Sequence, residues 1–270
     1  MSAFRPFFLE IEPGRRLFTY YPSFPACKGT VLYVHPFAEE MNKSRRMAAM
    51  QARSLKDAGY SVLQVDLYGC GDSEGDFRDA RWEIWKSDLR QSLAWLKTQH
   101  ELPVTLWGLR LGALLALDFA RDADFPFEKM VLWQPVHSGE THLAQFLRLR
   151  LANAMIAGKE KIGLQDLKRE LASNGTLEIA GYELPYELAE SISRLKLEEL
   201  GKPGVPHHWF ETMPDANAAL SPASSRILSA WESSGIQVQV HKTQGEPFWS
   251  TQEITDCPDL ILQTNRIFSA

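Results

Sequence analysis

The sequence predicts an α/β protein in which helices cover both faces of a mostly parallel central sheet and a helical cap is inserted. Two observations predict this class: short apolar runs alternate with helix-length amphipathic stretches, and one long run of helix formers interrupts the alternation. Continuous apolar runs are typical of parallel strands buried on both faces. The 270 residues suffice for one such domain, with a core at 1–138 and 202–270 and a cap at 139–201.

The first half of the chain predicts a hairpin followed by alternating strands and helices. Residues 7–11 and 16–21 alternate in polarity around a Pro-Gly turn, which is typical of a hairpin. The elements predicted after it are strand 29–34, helix 43–58, strand 60–67, helix 81–97, strand 104–107, helix 113–120 and strand 129–133. Because ligands bind beyond the carboxyl ends of parallel strands, the loops after these strands are where we expect a site.

The second half contains the predicted cap and the end of the core. Within the cap, the pattern predicts helices at 143–157 and 164–172, a strand at 176–182 and a helix at 185–195. The core then resumes with strand 205–211, helix 222–233, strand 236–241 and helix 257–268.

Composition excludes several classes of protein. A net charge of −5 without a basic tail argues against a nucleic-acid binder, and 44% hydrophobic with 23% charged residues is typical of a soluble globular protein. No apolar run reaches the roughly 20 residues that a membrane span needs. Cys27, Cys70 and Cys257 lie far apart without metal spacing, so they predict free thiols, a cytoplasmic location and neither a metal nor a cofactor.

The stretch 104–113 predicts a buried strand, a tight turn and a helix that begins with small residues. This is the outline of the nucleophile elbow, G-x-S-x-G, of the α/β-hydrolase fold. Gly108 and Gly112 stand where the turn needs glycine, but Arg110 occupies the serine position. A guanidinium stays protonated and cannot attack a carbonyl carbon. Arg110 therefore indicates either a clamp for a carboxylate or phosphate, or an ion pair with a loop carboxylate such as Glu246 or Glu39.

The remaining members of a serine triad are also missing from their usual places. In this fold the acid and then the histidine follow the serine along the chain. The acid position falls near Ala218, with Glu211 and Asp215 displaced from it. The turn that normally holds the histidine is 245–248 and has none, while His241 is predicted to lie inside a strand. The sequence thus predicts a degenerate triad.

Five further residues are candidates for a site. His35 ends a predicted strand, where its ring serves as an acid, base or donor, or simply caps the strand. Glu39, like its neighbour Glu40, is either an acid–base or ligand-binding group or an acid of the first turn of the following helix, where the helix dipole favours it. Phe248 and Trp249 follow a turn and are predicted to line a pocket.

These motifs carry a resemblance to a known family. Residues 35–47, 108–113, 179–184 and 245–249 resemble exosortase A system-associated hydrolase 2, a bacterial family within the α/β-hydrolase superfamily, which the chain resembles over nearly its full length. The resemblance implies an α/β-hydrolase fold and a role near exopolysaccharide synthesis and the sorting of proteins with a PEP-type signal.

Two functions of different class follow. In the first, an enzyme cleaves or transfers an acyl group, with His35 or Glu246 activating water and Arg110 stabilising an oxyanion. In the second, Arg110 binds an anionic small molecule while Phe248 and Trp249 cover its apolar part. A third possibility, a scaffold for partner enzymes, has no surface feature in its favour. The predicted partner is a small anionic or acyl-bearing molecule, and no nucleic acid is expected.

Overall fold

The computed structural model describes residues 4–156 and 163–269, so residues 157–162 of the predicted cap lie outside the described residues. Its strands are β1 (Arg5–Glu10), β2 (Arg15–Tyr21), β3 (Gly29–Val34), β4 (Tyr60–Val65), β5 (Val104–Leu109), β6 (Lys129–Trp133), β7 (Thr176–Ile179), β8 (Tyr182–Pro185), β9 (His207–Met213) and β10 (Val238–Gln244). Its helices are α1 (Glu39–Asp57), α2 (Trp82–Gln99), α3 (Leu111–Asp122), α4 (Gly139–Ile156), α5 (Leu164–Asn174), α6 (Tyr186–Ser193), α7 (Pro222–Ser233) and α8 (Pro258–Ser269).

The central sheet has eight strands in the order β1-β2-β4-β3-β5-β6-β9-β10. The β1–β2 hairpin and the β2–β4 pair are antiparallel, and every pair from β4 to β10 is parallel. Val34 pairs with Gly108, and Leu109 pairs with Trp133, so β3, β5 and β6 end at one edge. The predicted α/β-hydrolase architecture is confirmed, and the edge that it predicted for the site contains the elbow.

Two apolar layers cover the sheet because successive side chains of a strand point to opposite faces. Leu32 and Leu106 belong to the layer beneath α2 and α3, whereas Val31 and Trp107 belong to the layer beneath α1 and α8. Every residue of β3 and β5 is buried. This double burial is why these strands read as uninterrupted apolar runs in the sequence.

A buried ion pair joins the hairpin to the helical layer. Arg16 on β2 donates from Nε to Asp88 Oδ1 on α2 at 2.8 Å, and neither side chain is exposed. The other carboxylate oxygen of Asp88 accepts the Tyr68 N–H at 2.8 Å. The pair fixes the antiparallel edge of the sheet against α2.

Several predicted limits differ from the structure: α4 begins at Gly139 rather than at residue 143, most other limits shift by about two residues, and two elements differ for a clear local reason. Helix α1 begins at Glu39 rather than at residue 43, because the chain turns sharply at Ala38, where φ is 47°. The single strand predicted at 176–182 is instead the hairpin β7–β8, because Ala180 and Gly181 both have positive φ and reverse the chain.

The insertion between β6 and β9 contains α4, α5, the β7–β8 hairpin and α6. It packs on the core through aromatic contacts, such as Phe37 with Phe146 at 5.1 Å and Phe77 with Tyr182 at 5.2 Å between ring centroids. The exact core and cap limits stay a prediction. None of the helices within 4–156 and 163–269 has the length and apolar character needed to cross a bilayer.

Candidate functional site

Arg110 occupies the turn between β5 and α3. Its backbone has φ 57° and ψ −120°, a conformation that costs a residue other than glycine about 1–3 kcal/mol. Its N–H donates to the Trp133 carbonyl at 2.9 Å, which holds the turn against the end of β6. The geometry is that of a nucleophile elbow, with a guanidinium where the hydroxyl normally stands.

The two elbow glycines are required by close backbone approaches. A Cβ on Gly108 would lie 2.5 Å from the Cα of Ala113, and a Cβ on Gly112 would lie 2.4 Å from the carbonyl oxygens of Val34 and His35. Helix α3 therefore packs so tightly on β3 and β5 that no side chain fits at either position.

The Arg110 side chain is held between a carboxylate and an aromatic ring. Its Nε donates to Glu40 Oε1 at 3.2 Å, and its guanidinium carbon lies 5.3 Å from the centroid of Trp249. One of the two interpretations of Arg110 was an ion pair with a loop carboxylate such as Glu246 or Glu39, and the carboxylate that it contacts is Glu40. The turn at Ala38 starts α1 four residues earlier than expected and brings the first helical turn to the elbow.

Burial changes the protonation of both first-turn acids of α1. Burial raises the pKa of Glu40 to about 7, although the Arg110 guanidinium lowers it in part. Burial also raises the pKa of the half-buried Glu39. Within the described part of the chain, Oε2 of each carboxylate is buried without a hydrogen-bond partner. Glu40 is thus a carboxylate that exchanges a proton near neutral pH.

Two cavities meet at Arg110, and both are also lined by His142 and Gln145 of α4. The first, here called the acidic chamber, has a volume of about 250 Å³ and is lined by Glu39, Glu40 and an apolar wall that includes Phe37, Phe146, Leu149 and Trp249. The second, the basic chamber, has a volume of about 510 Å³ and is lined by residues that include Gln134, His137, Lys196, Glu198 and Arg226. The elbow therefore faces one compartment with two carboxyl groups and a second with two further basic side chains, Lys196 and Arg226.

His142 lies at the boundary of the two chambers. It is 6% exposed, and its ring meets Phe37 edge-on at 5.7 Å between centroids. Burial, aided by the Arg110 charge, lowers its pKa to about 3, so the ring is neutral. Neither ring nitrogen has a hydrogen-bond partner among the residues described. A buried polar ring without a partner is unusual in a folded protein.

His35 is placed away from both chambers. Its Nδ1 lies 2.7 Å from the Pro36 carbonyl oxygen and must donate to it, so Nε2 accepts the Leu67 N–H at 3.3 Å. Burial lowers its pKa. The ring borders a void of about 10 Å³ together with apolar side chains. Both ring nitrogens are hydrogen-bonded to backbone groups that follow β3 and β4. This arrangement corresponds to the interpretation in which His35 caps a strand, rather than to acid–base chemistry.

Of the three site residues predicted in the turn after β10, one lines a chamber. Trp249 is buried and lines the acidic chamber beside Arg110. Phe248 is fully buried, with its ring 6.3 Å from Trp133 between centroids, so it belongs to the core beneath the sheet. Glu246 is exposed and lines neither chamber. The structure thus brings together Arg110, Glu39 and Trp249, and it leaves His35, Glu246 and Phe248 elsewhere.

Glu211, one of the displaced acids, has a different partner from a triad acid. It is buried at β9, and its Oε1 accepts a hydrogen bond from Ser224 Oγ at 3.1 Å. The same hydroxyl lies 3.2 Å from His137 Nε2. His241 lies inside β10, as predicted, with its Nε2 3.1 Å from Nδ1 of His208.

Sequence reasoning missed three side chains that the structure brings to the chambers, His137, His142 and Arg226, and it did not pair Glu40 with Arg110. His137 lies in the loop after β6, which belongs to the edge that the sheet topology marks for a site. His142 and Arg226 are single polar residues on helices, and no pattern in the sequence distinguishes them from solvated surface.

The strained elbow at the carboxyl edge of a mostly parallel sheet defines the protein as an α/β-hydrolase-fold protein. Comparison with known families agrees: residues 25–183 match the family Hydrolase_4, described as serine aminopeptidase, S33. The matched segment exceeds half of the chain, and the chain belongs to this family.

Individual relatives are more distant. The chain is 29% identical to human Protein ABHD12B over 153 residues, which is 48% of this chain and 41% of that protein. Among solved structures it is similar to Est1E from Butyrivibrio proteoclasticus bound to ferulic acid, with a TM-score of 0.70, 15% identity and 97% of each chain covered. It is also similar to a thermostable carboxyl esterase from Bacillus coagulans, with a TM-score of 0.66, 15% identity and 99% of each chain covered. At these identities the structural likeness shows the fold alone.

Proposed function

We propose that this Hydrolase_4 member is a hydrolase of the exosortase A system-associated type, which cleaves an acyl ester or thioester without a serine nucleophile. The resemblance at residues 35–47, 108–113, 179–184 and 245–249 supports this type and its context of exopolysaccharide synthesis and PEP-type protein sorting. One observation carries the chemistry: a buried carboxylate with a pKa of about 7 lies 3.2 Å from the guanidinium at the elbow.

Glu40 has the properties of a general base. A base is most effective when its pKa lies near the working pH, and burial raises the pKa of Glu40 to about 7. Its Oε1 is held by Arg110, while its buried Oε2 has no partner in the described residues and is free to take a proton from water. The water oxygen then bonds to the acyl carbon, and the carbonyl oxygen becomes an oxyanion.

Arg110 has the properties of the oxyanion stabiliser. Its Nε is engaged with Glu40, which leaves the two terminal guanidinium nitrogens for a substrate oxygen. Trp249 packs on the guanidinium and keeps its plane fixed. When the tetrahedral intermediate collapses, the bond to the leaving alcohol or thiol breaks, and protonated Glu40 returns the proton to that leaving group. The predicted cap at 139–201 covers the site in this proposal.

A second candidate is a catalytically degenerate protein that binds an anionic ligand through Arg110. What favours it is the state of the usual triad positions in the described structure. Arg110 replaces the serine, the turn at 245–248 has no histidine, and Glu211 bonds to Ser224 instead of a histidine. In this case the Arg110–Glu40 pair fixes the guanidinium for binding alone. We propose a cytoplasmic location for either function.

A panel of acyl esters and thioesters tests the two candidates. We expect the purified protein to hydrolyse members of the panel, and Glu40→Gln and Arg110→Ala to lose about 100-fold or more in kcat/KM. Glu178→Gln is the matched control, because Glu178 is an exposed carboxylate on β7 outside both chambers. Turnover that survives Glu40→Gln contradicts the assignment of the base. No turnover by the parent protein on any substrate supports the binding candidate.

A further inference from the structure

We infer that the basic chamber binds a phosphate-ester headgroup, so that the substrate is an acyl ester or thioester of a phosphate-bearing alcohol or thiol. The inference rests on the proposed function for the cleavage step, while the headgroup itself is tested by binding. The two chambers share Arg110, His142 and Gln145, so one molecule that occupies both places its cleavable bond at the elbow.

The charge of the basic chamber comes from three separate elements. Arg110 lies at the elbow, Arg226 on α7, and Lys196 just before the short 3₁₀ turn Leu197–Glu199, and one carboxylate, Glu198, also lines the chamber. Lys196 pairs with Glu199 at 3.0 Å at the surface. For Arg226, no ion pair occurs within the described residues. The headgroup phosphate is assigned to Arg226, whose guanidinium presents a planar fork of donors, and to Lys196 on the same chamber, while Arg110 at the junction faces the ester or thioester carbonyl.

The acidic chamber excludes the same headgroup and accepts the other end of the molecule. Glu39 and Glu40 repel an anion there, whereas Phe37, Phe146 and Leu149 offer an apolar wall. The difference in charge therefore fixes the direction of binding. The acyl chain enters the acidic chamber, and the phosphate enters the basic chamber.

His142 is the second, independent sign that a ligand occupies this junction. It is 6% exposed, lines both chambers, and has two ring nitrogens without partners in the described part of the protein. A neutral imidazole offers one donor and one acceptor. The ester or thioester carbonyl, which lies between chain and headgroup, is the group that reaches it.

The size of the basic chamber indicates a headgroup larger than phosphate itself. Its volume of about 510 Å³ is in the range of pockets that hold whole small-molecule ligands. Two kinds of headgroup share this chemistry: a glycerol phosphate, as in a lipid, and a soluble phosphorylated carrier such as coenzyme A. The probes below distinguish them.

Calorimetric titration with non-cleavable probe pairs tests the inference without dependence on turnover. One pair is S-butyl-coenzyme A and S-butyl-N-acetylcysteamine, and the other is 1-O-butylglycerol 3-phosphate and 1-O-butylglycerol. We expect at least one phosphate-bearing probe to bind about 10-fold or more tightly than its uncharged partner, since bonds to charged groups are the strong ones. If the phosphate-bearing probe binds more tightly only in the first pair, the headgroup is a soluble carrier. If it binds more tightly only in the second pair, the headgroup is of the lipid type.

Variants decide whether side chains of the basic chamber cause the preference for phosphate-bearing probes. Arg226→Ala and, separately, Lys196→Ala are expected to reduce the preference for phosphate, whereas Arg90→Ala on the exposed face of α2 leaves it unchanged. Equal affinity within both probe pairs, or a preference that both chamber variants leave intact, overturns the inference. Cleavage of uncharged esters tests the proposed function separately, so a failure of one claim does not hide a failure of the other.

Discussion

At the scale of single residues, Glu40 combines burial, an ion pair and a raised pKa. It lies in the first turn of α1, where the helix dipole favours a negative charge, and it contacts a guanidinium. Even so, burial raises its pKa to about 7, because the carboxylate loses more solvation than these partners restore. The ionised form of Glu40 therefore lowers the free energy of unfolding, which is common for ionisable groups at functional sites.

A pH dependence of stability follows from Glu40. Its pKa is 4.5 in an unfolded chain and about 7 in the folded protein, so the folded state holds the proton more tightly. The free energy of unfolding therefore decreases as pH rises from 4.5 through 7, by about 3 kcal/mol in total for this group. Since Gln stays neutral, Glu40→Gln is expected to match the parent protein near pH 4.5 and to exceed it in stability at pH 8.

Urea unfolding of both proteins at several pH values from 4.5 to 8 measures this difference. Glu178→Gln serves as the control, because its carboxylate is exposed. A stability difference between parent and Glu40→Gln that does not change with pH contradicts the raised pKa.

The sequence predicted Arg110 at the elbow but not all of the side chains that surround it. Arg110 is recognisable because the surrounding glycines define a turn whose geometry is known. The ion-pair interpretation named Glu39 and Glu246 as examples of a partner, and the partner is Glu40. Helix α1 begins early, after Ala38, and no capping side chain marks this start in the sequence. The role of His35 depends on where its ring points, and residue order alone does not give that direction.

At the scale of elements, the Arg16–Asp88 pair is the strongest charged link between the sheet edge and α2. Both side chains are fully buried, so removal of one charge leaves the other without compensation. We expect Asp88→Asn to destabilise the protein by about 3–5 kcal/mol. Urea unfolding at pH 7.5 measures this loss.

A double variant shows whether the loss comes from the unpaired charge. Arg16→Met combined with Asp88→Leu replaces both charges by apolar side chains of similar size. Such replacements of buried pairs are often neutral, so the double variant is expected to be more stable than Asp88→Asn. A loss below about 1 kcal/mol for Asp88→Asn shows that the cation finds another partner or solvent.

The limits of helices and strands were predicted best where an apolar run or a capping residue marks them in the sequence. Strands β3 and β6 and helix α7 have the predicted limits, because apolar runs and the Ser-Pro start of α7 mark them in the sequence. The β7–β8 hairpin was predicted as one strand. Its turn needs two residues with positive φ, and only one of them, Gly181, is a glycine.

At the scale of the whole molecule, both chambers lie between the core and the inserted segment. Arg110 and Glu40 come from the core, while His142 and Gln145 come from α4. The sequence predicted the insertion but not the chambers, because they arise from contacts between segments that are distant in the chain. A ligand that fills both chambers therefore links two parts of the fold.

Hydrogen exchange measures this link. The phosphate-bearing probe that binds more tightly in the calorimetric titration is expected to slow amide exchange in the first turns of α4 and in the loop at 134–138, because both border the basic chamber. The β1–β2 hairpin at the far edge of the sheet is the internal control. Equal protection of hairpin and α4 indicates a global effect and contradicts binding at the chambers.

The strained elbow also has a use in protein chemistry. Its conformation is fixed by Gly108, Gly112 and the packing of α3, and not by the side chain at position 110. Arg110→Cys therefore introduces a handle for covalent labels between the two chambers. Burial raises the pKa values of the native Cys70 and Cys257 thiols, which makes them slow to alkylate, and the partly buried Cys27 is replaced by serine before labelling. A fluorophore or spin label attached at the elbow would report directly on what enters from either side.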